Sequence, residues 1–101
     1  MKKIFATLLA LCLLNTASFS DVKLGIILGY TGPIESLTPD MAAGAELAIE
    51  EVNNSKHFSL GKVSGVRADS TCIDSSAATA AAERLITSDK VNGIMGADCS
   101  G

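Results

Sequence analysis

Val22-Lys23-Leu24-Gly25-Ile26-Ile27-Leu28 runs straight into Gly29-Tyr30-Thr31-Gly32-Pro33, and that junction decides the fold. The first seven residues are nearly all apolar, with β-branched members, which fits a strand buried on both faces better than an alternating, half-exposed one. Such a strand belongs at the centre of a parallel sheet. The glycines and the proline then break the run, and Ile34 to Thr38 read as a loop.

Beyond the loop, Thr38 is predicted to cap a helix and Pro39 to take its first position, where a missing amide proton costs nothing. Met41, Ala45, Ala48, Ile49 and Val52 recur as one apolar stripe, with Glu46, Glu50 and Glu51 mostly away from it. Gly44 shares the stripe, which predicts a close approach of helix to sheet. Asn53 and Asn54 can end the helix by accepting a left-handed conformation, and residues 55 to 61 read as a surface loop in which His57 is solvated. Lys62 to Asp69 is a second strand, interrupted by Gly65, with Val63, Val66 and Ala68 as its apolar members. Asp74 is a good cap for a second helix, whose stripe is Ala78, Ala81, Ala82, Leu85 and Ile86 and which should stop near Ser88. Val91 to Met95 makes a third strand ending in Gly96. The order strand, helix, strand, helix, strand predicts an α/β fold, an open, Rossmann-like parallel sheet with right-handed crossovers.

Residues 1 to 20 have the layout of a secretory leader: Lys2 and Lys3, then the apolar run Ile4 to Leu14, then a small, polar exit from Asn15 to Ser20. The run of about a dozen apolar residues is too short to cross a bilayer as a helix, which takes about 20. Cleavage is expected after Ser20, with Ala17 and Ser18 as alternatives. Cys12 follows Leu11 where a lipid-attachment site would have a small residue, so it is read as part of the removed leader.

The remaining 81 residues (101 minus 20) carry six Lys or Arg (8 minus Lys2 and Lys3) against eleven Asp or Glu, a formal charge of −5. Lys23, Lys56, Lys62, Arg67, Arg84 and Lys90 are scattered singly, and Tyr30 and Phe58 are the only aromatics, which excludes a nucleic-acid interface. Cys72 and Cys99 form an even pair in an oxidising compartment. If bonded they would close a loop of 27 residues, worth roughly 3 to 4 kcal/mol in the chain-entropy model. Two free thiols at element ends are the alternative. A metal site is disfavoured, because His57 is the only other soft ligand and no CxxC or HxxxH spacing occurs.

In open α/β sheets ligands bind beyond the carboxyl ends of the strands, and three such ends are visible: Gly29 to Gly32, Asp69 to Asp74, and Ala97 to Gly101. Ser100 can offer a hydroxyl, and a helix starting there would add free amides, a combination suited to a carboxylate. An ordinary helix cap is the plainer use of the same serine. Glycines 25, 29 and 32 lack the spacing of a dinucleotide site, and neither a P-loop nor a GxSxG elbow is present. Asp69 and Asp74 are explained by strand-end solvation and helix capping before any acid/base pairing. No cofactor and no catalytic residue is expected.

Taken in order, Lys23-Leu24-Gly25 through Thr31-Gly32-Pro33, Gly44-Ala45-Glu46-Leu47-Ala48-Ile49-Glu50-Glu51-Val52-Asn53, Cys72 with Asp74, Ala80-Ala81-Ala82-Glu83-Arg84-Leu85-Ile86, Asp89-Lys90-Val91 and Gly96 to Gly101 resemble the type I periplasmic solute-binding proteins of ABC transporters, in the branched-chain amino-acid-binding group. The resemblance implies a lobe of a two-lobed protein that closes on an amino acid or a similar carboxylate and delivers it to a membrane permease. Residues 21 to 101 would be the N-terminal part of the ligand-binding domain, behind a leader at 1 to 20, in a protein that is periplasmic and monomeric when complete. It also implies a Cys72–Cys99 disulfide, a ligand carboxylate held by the hydroxyl and amide of Ser100 with Gly101 beside it, and a loop around Ser36 and Leu37 near the ligand's side chain. The stretch from Glu35 to Asp40 is about one residue longer than the family pattern. A sensory receptor domain of the same fold is the other reading. The family's chain is several times longer, so the segment alone is expected to bind amino acids weakly or not at all.

Overall fold

The computed structural model describes residues 21–56, 58–59 and 61–100. The leader prediction, His57 and the expected ligand contact Gly101 lie outside the described residues. The chain forms β1 (Val22–Leu28), α1 (Thr38–Asn54), β2 (Val63–Asp69), α2 (Ser75–Thr87) and β3 (Gly93–Met95). The sheet is parallel throughout and ordered β2-β1-β3, with β1 central as its composition predicts. β1 pairs with β2 from Val22 opposite Val63 to Leu28 opposite Asp69, and with β3 from Leu24 opposite Gly93 to Ile26 opposite Met95.

One helix covers each face of β1. Ile26 and Leu28 pack with Ala42, Ala45 and Ile49 on the α1 side, and Ile27 packs with Ala68, Leu85, Ala81 and Ala82 on the α2 side. Each buried Ile or Leu side chain contributes about 1.5–3 kcal/mol relative to leaving it in water.

The buried stripe of α1 differs from the predicted one by a small rotation. Thr38, Ala42, Ala45 and Ile49 line it, while Met41 and Ala48 are exposed. Thr38 therefore does not cap the helix: Leu37 holds the cap position without a side-chain bond, and the Thr38 hydroxyl turns back to the Glu35 carbonyl. Gly44 is exposed and a Cβ there would meet nothing within 4 Å, so it allows no close approach. Gly65 does that instead, with the Ile26 and Ile49 side chains 3.0 and 3.1 Å from where its Cβ would sit. β2 is not interrupted at Gly65, which pairs opposite Leu24 in an unbroken ladder; it is instead the position at which α1 presses on the sheet.

Asn53 is also used differently from the prediction. Its side chain donates to the Val63 carbonyl at 2.7 Å and accepts from the Val63 amide at 2.8 Å. It thereby satisfies the backbone of β2 on its outer edge, and the helix ends at Ser55 in an extended conformation. The cap of α2 is as predicted, with the Asp74 carboxylate accepting from the Ser76 and Ala77 amides at 2.9 and 3.1 Å. β3 is shorter than predicted because Asn92 begins the pairing, its amide donating to the Lys23 carbonyl and its side-chain oxygen accepting from the Lys23 amide.

Two substitutions in the full chain separate these roles by urea unfolding. Leu85→Ala, in the centre of the α2 face, should lower stability by about 2–5 kcal/mol. Gly44→Ala should raise it by about 0.5–1 kcal/mol, since an exposed helical glycine costs conformational entropy and nothing obstructs the added methyl.

Candidate functional site

Parallel pairing puts all three strand carboxyl ends at one edge of the sheet, where each runs into a loop: Gly29 to Leu37, Ser70 to Asp74, and Gly96 to Ser100. Side-chain and covalent ties join the three loops. The Cys72–Cys99 disulfide connects the second to the third, with the two Cα atoms 5.3 Å apart. Asp69, at the end of β2, accepts the Thr31 hydroxyl at 2.6 Å, the Thr31 amide at 3.3 Å and the Thr71 amide at 2.8 Å, which ties the first loop to the second. Asp98 accepts the Gly29 amide with both carboxylate oxygens at 3.1 Å, joining the third loop to the first.

The second loop is wound tightly. Thr71 and Cys72 both have positive φ, 60° and 71°, a conformation that costs L-residues roughly 1–2 kcal/mol each and persists where the surroundings over-determine it. Here the Asp69 carboxylate on one side and the disulfide on the other supply that determination. Gly96 leaves β3 with φ 116°, and a Cβ there would run into the Ile27 carbonyl oxygen, so only glycine lets the third loop cross the end of β1 this closely.

Ser100 follows Cys99 directly and is exposed on this edge. Leu37, 61% exposed at the start of α1, lies on the loop that leaves the same end of β1. A cleft of about 260 Å³ opens between the N-terminus of α2 and the disulfide, lined by Ser70, Cys72, Ile73, Asp74, Ala97 and Cys99 among others. The Ser70 hydroxyl is buried beside it with no hydrogen-bond partner among the described residues. Pockets that enclose a small ligand are commonly about 300–1,000 Å³, and this cleft by itself falls below that range.

The charge of the edge is one-sided. Glu35, Asp74 and Asp98 lie on the three loops and Asp69 at the end of β2 beside them, and no Lys or Arg lies on the loops. Asp69, Asp74 and Asp98 spend their carboxylates on backbone amides. An anionic ligand group would therefore be held by hydroxyl and amide dipoles rather than by an ion pair. The nearest arginine, Arg67, is engaged bidentately by Glu46 at 2.6 and 2.9 Å and lies over the Tyr30 ring, 5.5 Å from its centroid. Burial raises the Tyr30 phenol above its ordinary pKa, with Arg67 opposing, and its hydroxyl donates to the Ile26 carbonyl. Among the described residues no group of three His, Cys, Asp or Glu could hold a metal ion, and no helix is long and apolar enough to cross a membrane.

The sequence pointed to Ser100, Leu37 and the two cysteines but not to Asp98, and it credited Asp69 only with solvation. Both ties span long stretches, 69 residues for Asp98 to Gly29 and 38 for Asp69 to Thr31. No local pattern signals such pairs; the equal register of β1 with β3 could have, once the sheet order was known.

Breaking the disulfide with Cys72→Ser and Cys99→Ser together should cost the full chain about 3–4 kcal/mol by loop-closure entropy, read as a drop in urea midpoint that reductant reproduces in the wild type. Burial alone would raise the Asp69 carboxyl, but the Thr31 hydroxyl and the Thr71 and Thr31 amides outweigh it, and its pKa lies below the ordinary value. The stability this contributes is complete above the unfolded carboxyl value of about 3.9 and is lost as pH falls through the lower folded value. Asp69→Asn should accordingly flatten the acid limb of a stability-versus-pH curve and leave its neutral and alkaline limbs parallel to the wild type.

Similarity to known proteins places this edge in a wider setting. The chain is 35% identical over 101 residues to Leu/Ile/Val-binding protein homolog 7 of Brucella melitensis, a match covering 99% of this chain and 25% of the relative. It is 32% identical over 87 residues to the amino acid binding protein of Pseudomonas aeruginosa, covering 86% of this chain and 23% of that one. Among solved structures, a possible leucine/isoleucine/valine-binding protein from Rhodopirellula baltica superposes with a TM-score of 0.69 at 18% identity, over 83% of this chain and 22% of its own. A solute binding protein of an ABC transporter from Rhodopseudomonas palustris, in complex with 3,4-dihydroxybenzoic acid, gives a TM-score of 0.60 at 26% identity, over 73% of this chain and 20% of its own. The chain thus spans about a quarter or less of the length of the relatives it matches. A match to the periplasmic binding protein family runs from residue 21 to residue 101, and the chain belongs to that family.

Proposed function

We propose that the protein captures a small carboxylate, a branched-chain or similar amino acid, in the periplasm and hands it to the permease of an ABC transporter. The observation that carries this reading is the convergence of three strand ends, tied together by Cys72–Cys99, Asp69 and Asp98, on one edge that presents Ser100. Ligands of open α/β sheets bind at such an edge. A carboxylate is the group shared by leucine, isoleucine and valine, which name the Brucella relative, and by the dihydroxybenzoic acid bound to the Rhodopseudomonas one. Ser100, with Gly101 beside it, takes the carboxylate through its hydroxyl and amide, and Leu37 borders the ligand's apolar part. Residues 1–20 act as the export leader, residues 21–101 as the N-terminal part of the binding domain, and the complete protein works as a monomer. Its role is reversible capture, with no bond made or broken in the ligand.

One edge of one lobe encloses too little space to hold a ligand, so affinity comes from a second lobe closing over it. Titration calorimetry of the full exported chain with L-leucine, L-isoleucine, L-valine and 3,4-dihydroxybenzoate tests the proposal. Saturable binding of at least one is expected, with Ser100→Ala weakening it about 10- to 100-fold, the worth of a hydrogen bond to a charged group. Absence of heat for all four, or an unaltered affinity in Ser100→Ala, contradicts it.

A further inference from the structure

We infer that Asp98 is a positioning residue: its carboxylate completes the β1–β3 ladder where the backbone leaves it, and so fixes Ser100 over the end of β1. This rests on the reading of Ser100 as a ligand contact.

The backbone pairing of β1 with β3 covers only three positions and ends at Ile26 opposite Met95. Gly96 then turns away through a left-handed conformation. The same offset of 69 residues places Asp98 opposite Gly29, and there the side chain takes over, both carboxylate oxygens accepting the Gly29 amide. Asn92 does the matching job at the other end of β3, at the same offset, with its side-chain oxygen on the Lys23 amide. A three-residue strand is thereby extended at each end by a side-chain acceptor.

Gly29 is buried and the Asp98 carboxylate is the acceptor of its amide, so removing that carboxylate takes the bond away. Two anchors then act on successive residues: Asp98 holds the third loop to β1, and Cys99 holds it to the second loop. The disulfide alone leaves the loop able to swing about the S–S link. With Asp98 added, the loop is fixed from two directions, and Ser100 follows immediately. Asp98 also explains how an acidic residue can stand beside a carboxylate site, since its charge is directed at a backbone amide on the strand side.

The test compares wild type, Asp98→Ala and Asp98→Asn in the full exported chain by residue-resolved amide exchange and by L-leucine calorimetry. In Asp98→Ala the Gly29 and Ser100 amides should exchange about tenfold faster or more and L-leucine affinity should fall by a similar factor, while Asp98→Asn, whose side-chain oxygen can still accept, restores both to within about threefold. Unchanged exchange at Gly29 overturns the inference, as does unchanged affinity in Asp98→Ala. Acceleration spread evenly over β1 and β3 also overturns it, since that marks a general stability residue. If Asp98→Ala fails to fold, Asp98→Glu serves: protection of Gly29 should persist while the longer arm displaces Ser100 and weakens L-leucine, and unaltered affinity there overturns the inference. If the wild type binds none of L-leucine, L-isoleucine, L-valine and 3,4-dihydroxybenzoate, the ligand reading fails, and the paired exchange of Gly29 and Ser100 still decides whether Asp98 positions the loop; if it binds one of the others, that ligand replaces L-leucine in the comparison.

Discussion

Ile26 and Ile27 are consecutive residues of one strand, and they are exposed to only 1% and 4%. Successive side chains of a strand leave opposite faces, so no single layer can bury both. One helix on each side is required, which forces crossovers, and crossovers make the strands parallel. Parallel strands bring their carboxyl ends to the same edge, so the place where a ligand could be met follows from the burial of one seven-residue strand.

That arrangement leaves a difficulty at the edge itself. Beyond Leu28, Asp69 and Met95 the strands end, and past the Ser70 amide on the Leu28 carbonyl no backbone bond among the described residues joins the three loops. The chain meets this with groups that act over long stretches: a covalent bond from Cys72 to Cys99, a carboxylate at Asp69 gathering Thr31 and Thr71, and a carboxylate at Asp98 on Gly29. The tight turn at Thr71 and Cys72 and the close crossing at Gly96 are held by these ties. Ties of this kind hold the hydroxyls and amides of the edge in fixed directions, as the proposed capture of a carboxylate without an arginine requires.

The sheet was readable in the sequence because burial leaves a continuous apolar signature, as at Val22 to Leu28, and because Asp74 caps α2 through a local pattern. Finer placement was not. Thr38 has the side chain of a cap, yet it is fully buried and leads the apolar stripe, since packing against the sheet outweighs one capping bond. The close approach expected at Gly44 is found at Gly65, because which glycine faces the other layer depends on how the helix is rotated and not on the residue type. Asn53 looked like a helix terminator and proved to be a clip on the edge of β2. At the site, Ser100 could be singled out from its position after a strand, whereas Asp98 depends on a register that only the assembled sheet reveals.

The central claim is that the three tied strand ends form the ligand-facing edge of this chain. The most direct measurement is an amide chemical-shift map of the full chain on addition of L-leucine. The account predicts that, within residues 21–101, the shifts gather at Gly29 to Leu37, Ser70 to Asp74 and Ala97 to Gly101. Saturable binding whose shifts in this segment fall instead on the outer faces of α1 and α2, with those three loops unmoved, would contradict it.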